Sequence, residues 1–118
     1  MPFVEVWASP YLLNKRIPAA RRSIQERLAA IPELGLRPEQ LTVRFPAERD
    51  MPAHDVTIHI WGLFLNEDRT PEVKNKMARV AGECIRQHVG IHPLIEVLVD
   101  AFDPSQGFWV SPGALSAS

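Results

Sequence analysis

The sequence predicts an α/β (α+β) fold, in which a four-stranded sheet built from two tandem βαβ units carries two helices on one face. Two observations predict it. The apolar residues change from strand-like to helical spacing and back, twice along the 118 residues. The two halves also match at one offset of 54 positions, which pairs Val4-Glu5-Val6-Trp7 with Ile58-His59-Ile60-Trp61 and Leu41-Thr42-Val43 with Ile95-Glu96-Val97.

In the first unit, residues 3–8 are rich in aromatic and β-branched side chains and predict a strand. A helix follows, because apolar residues recur at spacings of three and four, and Pro18 fits only its first turn. This apolar stripe consists of Ile17, Ala20, Ile24, Leu28 and Ile31. Pro32 and Gly35 stop the helix. Alternating apolar and polar residues over 41–45 predict the second strand, which Pro46 ends.

In the second unit, a polar loop over 47–54 precedes a long strand over 55–65. The second helix has a clear start, with Thr70 as N-cap, Pro71 at the first helical position and Glu72 in the first turn. Its apolar stripe consists of Val73, Met77, Val80, Ala81, Cys84 and Ile85. The remaining predicted segments are a strand over 94–102 and a short edge strand over 107–110.

Length and composition predict one domain over 1–118, with its first unit at 1–54, its second at 55–110 and a flexible tail at 111–118. The net charge of -1 provides no basic surplus, so nucleic acid is not an expected partner. No apolar run is long enough to predict a membrane span. The single cysteine and the absence of a signal-peptide pattern favour a cytoplasmic protein.

The open face of the predicted sheet is unusually apolar. Both alternation phases of the first strand contain apolar side chains, Val4 and Val6 in one phase and Phe3 and Trp7 in the other. Only one of these phases can face the helices. We therefore expect the other face to be buried against further subunits.

The chain opens Met1-Pro2. Methionine aminopeptidases generally remove methionine before a small second residue, which would leave the secondary amine of Pro2 at the start of a strand. Proline often follows methionine without any catalytic role, so the dipeptide alone decides nothing. Only together with the double βαβ pattern around it does the dipeptide indicate a catalytic role for Pro2.

With its double βαβ pattern, the chain resembles the tautomerase superfamily, in particular double-unit members such as 5-carboxymethyl-2-hydroxymuconate isomerase and macrophage migration inhibitory factor. The resemblance extends from Pro2 to about Trp109. Four short motifs carry it: Arg69-Thr70-Pro71-Glu72-Val73-Lys74, His54-Asp55, Leu41-Thr42-Val43-Arg44, and Phe102-Asp103 followed by Gly107-Phe108-Trp109.

The resemblance implies a homotrimer that needs no cofactor, with Pro2 as general base for proton transfer on a small carboxylated enol or 2-oxo acid. To act as a base at neutral pH, the amine needs a lowered pKa, which an apolar pocket and nearby cations both produce. Phe3 and Trp61 are the residues expected to make the pocket apolar. Arginine would hold the substrate carboxylate through two parallel hydrogen bonds.

Three arginines are candidates for substrate binding. Arg69 lies at a strand-to-helix junction; the alternative is a solvated surface residue. Arg44 lies on the polar phase of its strand; the alternative is a cross-strand ion pair. Arg37 lies in the turn before the second strand, about where the migration inhibitory factor group has a lysine. The last strand has Leu98 where that group has a tyrosine, a departure that argues against its phenylpyruvate-type activity.

The sequence gives little support for a metal site or a reactive cysteine. The four histidines lack metal-ligand spacing with a carboxylate, so no metal is expected. Cys84 lies on the apolar stripe of the second helix and is expected in the core. Two functions therefore remain: an isomerase of the tautomerase type that uses Pro2, and a non-catalytic oligomeric binding protein of the same fold that retains Met1.

Overall fold

A single mixed sheet forms one layer of the computed structural model, which describes residues 2–46, 55–64, 67–90, 93–103 and 105–106. Its four strands are β1 (Phe3–Ala8), β2 (Thr42–Arg44), β3 (Asp55–Phe64) and β4 (Leu94–Phe102). Their order across the sheet is β2-β1-β3-β4. The central strands β1 and β3 are antiparallel, and each pairs in parallel with its own outer strand. This is the predicted sheet of two βαβ units side by side.

Among the described residues, the α-helices are α1 (Pro10–Leu13), α2 (Ile17–Ala29) and α3 (Pro71–Val89), and short 3-10 helices cover Asn14–Arg16, Pro32–Leu34 and Pro38–Gln40. Helix α3 begins as predicted, since the Thr70 hydroxyl accepts a hydrogen bond from the backbone N–H of Val73 at 3.3 Å. Pro18 lies in the first turn of α2, also as predicted. Helix α1 was not predicted, although Ser9 before Pro10 is a helix-start signal.

The core lies between the helices and one face of the sheet. Every second residue of β1 is buried (Val4, Val6 and Ala8), and Val56, Ile58 and Ile60 of β3 are buried in the same cluster. The helical part of that cluster includes the predicted stripe residues Ala20, Ile24, Leu28, Met77, Ala81, Cys84 and Ile85. Strand periodicity thus assigns each side chain to the core or to the open face.

A β-bulge interrupts β3 near its end. The pairing of β3 with β4 shifts between Ile60 and Leu63, and Gly62 adopts φ +76°, which glycine tolerates best. Because of the extra residue, Ile60 and Leu63 are both buried although they are three positions apart. Trp61 lies between them and is only partly buried.

The register confirms the repeat. In the first unit, Phe3 pairs with Thr42, and Glu5 with Arg44. Fifty-four positions later, the partners are Thr57 with Glu96, and His59 with Leu98. The starts of α2 and α3, at Ile17 and Pro71, show the same offset. The halves are therefore related by an approximate twofold axis, and it passes through the Glu5–His59 pair at the centre of β1 and β3.

We call the end of the sheet where β1 and β2 begin and β3 terminates the proline end, and the opposite end the far end. Among the described residues, no helix has the length and apolar character needed to cross a membrane. The predicted loop over 47–54, edge strand over 107–110 and tail over 111–118 lie outside the described residues.

Candidate active site

Pro2 is buried at the proline end, directly before β1. Its carbonyl oxygen accepts a hydrogen bond from the backbone N–H of Thr42 at 3.2 Å. This bond extends the β1–β2 ladder to Pro2 and fixes its backbone to the first residue of β2. The sheet thus holds the backbone of Pro2 in place.

Three of the predicted site residues form a layered stack next to Pro2. The rings of Phe3 and Trp61, cross-strand partners on β1 and β3, lie with their centroids 4.4 Å apart and their planes 18° from parallel. On the β2 side, the guanidinium carbon of Arg44 lies 5.0 Å from the Phe3 ring centroid. Cation–π attraction and ring stacking therefore order Arg44, Phe3 and Trp61 across three strands of the open face.

Glu5 also contacts this stack and is not among the predicted site residues. The indole Nε1 of Trp61 donates a hydrogen bond to Glu5 Oε1 at 2.7 Å. Glu5 lies in the same alternation phase as Phe3, but only the register of β1 against β3 brings it near Trp61. The charged oxygen makes this a strong hydrogen bond, which fixes the orientation of the indole ring.

The alternative of a cross-strand ion pair for Arg44 does not fit the structure. Glu5 is the register partner of Arg44. Within the part of the chain that the structure describes, however, the ion pairs do not include Arg44. The Arg44 side chain is exposed and lies over Phe3 instead.

Arg69 reaches the proline end from the connection between β3 and α3. Its Nη2 donates a hydrogen bond to the backbone carbonyl of Leu34 at 3.4 Å, in the segment that leads into β2. Burial lowers the pKa of the Arg69 guanidinium, and the neighbouring Asp68 carboxylate opposes that shift. The side chain is partly buried, so a solvated surface residue is a poor description of Arg69.

Arg37 is exposed in the same segment before β2. Its Nε lies 3.4 Å from the Glu39 carboxylate, and both side chains are about two-thirds exposed or more, at 73% and 67%. Its backbone N–H donates to Gln40 Oε1 at 2.8 Å. Among the described contacts, none joins Arg37 to the stack of Arg44, Phe3 and Trp61. Exposed pairs of this kind contribute little free energy.

No protein-family model matches the sequence, and no curated protein is significantly similar to it. Solved structures do match its fold. The fused 4-OT F6, described as an asymmetric trimer, superposes with a TM-score of 0.70 over 96% of this chain and 98% of its own, at 14% identity. The protein Pt0534, solved after inactivation by 2-oxo-3-pentynoate, superposes with a TM-score of 0.69 over 96% of this chain and 98% of its own, at 13% identity.

Macrophage migration inhibitory factor of Toxoplasma gondii superposes with a TM-score of 0.62 over 93% of this chain and 96% of its own, at 16% identity. These matches span nearly the full length of both chains. The chain has a tautomerase-like fold. At such low identity, the matches establish the arrangement of strands and helices and leave the reaction open.

Within this tautomerase-like fold, the side chains gathered near Pro2 suit the binding of an anion beside an apolar surface. Arg44 supplies a positive charge at the surface, and Phe3 and Trp61 supply the apolar surface. Among the described residues, no group of three or more His, Cys, Asp or Glu side chains is placed to bind a metal ion.

Proposed function

We propose that the protein is an isomerase of the tautomerase type, with Pro2 as general base after removal of Met1. It moves a proton between carbon and oxygen, or between two carbons, of a small carboxylated enol or 2-oxo acid. The observation that carries the proposal is the Arg44–Phe3–Trp61 stack beside Pro2. It combines one cation and an apolar surface next to the residue whose nitrogen becomes a secondary amine once Met1 is removed.

Proton transfer begins with a neutral Pro2 amine. Burial of Pro2, the apolar rings of Phe3 and Trp61, and the positive charge of Arg44 all disfavour the ammonium form, so we expect a lowered pKa. The neutral amine takes a proton from carbon or from the enol hydroxyl and returns it at the other position. The reaction is balanced without an oxidant, a reductant or a cofactor.

Arg44 binds the substrate carboxylate in this mechanism. Its guanidinium carbon lies 5.0 Å from the Phe3 ring centroid, and the guanidinium N–H groups can donate two parallel hydrogen bonds to a carboxylate. The same charge stabilises the enolate that forms during proton transfer. Arg69 and Arg37 add positive charge at the same end of the sheet, although each already contacts another group of the chain.

A homotrimer in the cytoplasm is the expected form of this enzyme. The fused 4-OT F6 is a trimer. The open sheet face of this chain also leaves Leu94 58% and Leu98 55% exposed, and burial in an oligomer would remove that apolar surface from water.

The assay compares the wild type with Pro2→Ala in the ketonisation of 2-hydroxymuconate and of phenylenolpyruvate. Loss of the general base should lower kcat/KM by about 100-fold or more. Pro18→Ala is the matched control, because Pro18 is an exposed proline in the first turn of α2. Equal activity of Pro2→Ala and the wild type would refute the role of Pro2.

A further inference from the structure

We propose that the hydrogen bond between Trp61 and Glu5 is a positioning device that keeps Arg44 available for an anionic substrate. The inference rests on the proposed function, because it assigns Glu5 and Trp61 a task in carboxylate binding by Arg44. Neither residue needs to touch the reacting atoms for this purpose. Both act through Arg44.

Glu5 lies between two basic residues on the open face. In the register of the sheet, Arg44 of β2 is its partner on one side and His59 of β3 on the other. Opposite charges at directly facing positions on neighbouring strands attract each other. An ion pair between Glu5 and Arg44 is therefore the arrangement that the register alone favours.

The side chains make other contacts. Glu5 accepts the indole N–H of Trp61 at 2.7 Å, and Arg44 lies over Phe3 at 5.0 Å. His59 Nε2 lies 2.6 Å from Asp100 Oδ2 on β4, away from Glu5. Each basic neighbour of Glu5 thus has a different partner, and Arg44 is displaced toward the proline end.

Trp61 can fix the Glu5 carboxylate because the indole ring is itself fixed by stacking. Its ring stacks on Phe3, and it lies diagonally from Glu5, two residues beyond the His59 partner. A fixed donor loses little conformational entropy on bonding, whereas Arg44 would have to give up its contact with the Phe3 ring to pair with Glu5. The carboxylate is therefore better satisfied by the indole than by Arg44, which stays free to bind an anion.

The test is the affinity for benzoate, a planar carboxylate that cannot tautomerise, measured by calorimetry. Trp61→Phe keeps an aromatic ring but removes the N–H donor, so Glu5 should turn to Arg44. We expect benzoate affinity to fall by about threefold to fivefold, the range of an exposed ion pair acting as competitor. In the double variant Trp61→Phe/Glu5→Gln, the competing charge is gone and affinity should return to the wild-type value.

Trp7→Phe is the matched control, because Trp7 is the counterpart of Trp61 at the far end and should leave affinity unchanged. A double variant that binds as weakly as Trp61→Phe would overturn the inference, since packing loss would then explain the effect. KM for a carboxylated substrate should follow the same pattern.

Failure of the two proposals can be told apart. If Arg44→Ala binds benzoate as well as the wild type, the role of Arg44 in the proposed function is wrong. If Arg44→Ala weakens binding while Trp61→Phe does not, only the positioning role is wrong. Should Trp61→Phe not fold, the indole N–H resonance of Trp61 replaces it: the resonance should shift between the wild type and Glu5→Gln, and an unchanged resonance would contradict the bond.

Discussion

The proline end and the far end of the sheet share one backbone plan and differ in their side chains. The twofold relation of the halves makes each position at one end the counterpart of a position 54 residues away. The counterparts of Pro2, Phe3, Trp61 and Arg44 are Val56, Thr57, Trp7 and Leu98. A cation, a second aromatic ring and a proline at position 2 are thus present at one end and replaced at the other.

The difference shows that the fold alone does not make the site. Val56 is a buried residue within the chain, and its nitrogen is an amide that cannot act as a base. Leu98 carries no charge and is 55% exposed. Strand pairing and helix positions repeat at both ends, but Pro2 lies only at the proline end, so we predict one catalytic end per subunit.

The largest expected difference between the proline end and the far end is in covalent labelling with 2-oxo-3-pentynoate, the reagent that inactivates Pt0534. Its alkyne is conjugated to a ketone and accepts a nucleophilic amine. We expect a single adduct per chain, located on the peptide that begins with Pro2, as measured by mass spectrometry of the digested protein. An adduct located only elsewhere, or no adduct, would contradict a reactive amine at the proline end.

A smaller contrast is expected between Arg44→Ala and its counterpart Leu98→Ala. Arg44→Ala removes charge-assisted hydrogen bonds worth roughly 1.5–3 kcal/mol to the substrate carboxylate, so KM should rise about 10-fold to 100-fold. Leu98→Ala should leave KM unchanged at equal oligomeric state, checked by gel filtration. Equal KM values for the two variants would remove the distinction between the ends.

The smallest expected difference between the two ends is in how much the residues before α3 and α2 contribute to the free energy of unfolding. Arg69 precedes α3, and Lys15 occupies the same position before α2. Arg69→Ala removes a partly buried side chain and its bond to the Leu34 carbonyl, so the free energy of unfolding should fall by about 1–2 kcal/mol. Lys15 is exposed, and Lys15→Ala should change the free energy of unfolding by less than about 0.5 kcal/mol.

Urea unfolding followed by circular dichroism measures both variants. Equal effects of the two substitutions would show that the Leu34 contact of Arg69 contributes nothing to the fold. A large rise in KM for Arg69→Ala without loss of stability would instead assign Arg69 to substrate binding.

Local signals in the sequence were sufficient for most of the fold. Thr70 and Pro71 marked the start of α3, and hydrophobic spacing marked the core face of both long helices. The repeat predicted the paired units because each strand must satisfy the same pairing and burial constraints in both halves. β2 is shorter than its alternation suggested, with Thr42–Arg44 in place of 41–45.

The candidate site could be predicted only in part from the sequence. Phe3, Trp61 and Arg44 were named individually, but their stacking depends on the register of three strands, which the sequence does not specify. The bond between Glu5 and Trp61 depends on the same register. Arg69 was predicted from its junction position, yet its contact with Leu34 depends on the path of the connection before β2.

The proposed mechanism requires a free amine at Pro2, and the intact mass of the natively expressed protein shows whether that amine exists. We expect a mass that corresponds to a chain beginning at Pro2, with Met1 removed. Quantitative retention of Met1 would leave the Pro2 nitrogen as an amide and would contradict the proline mechanism.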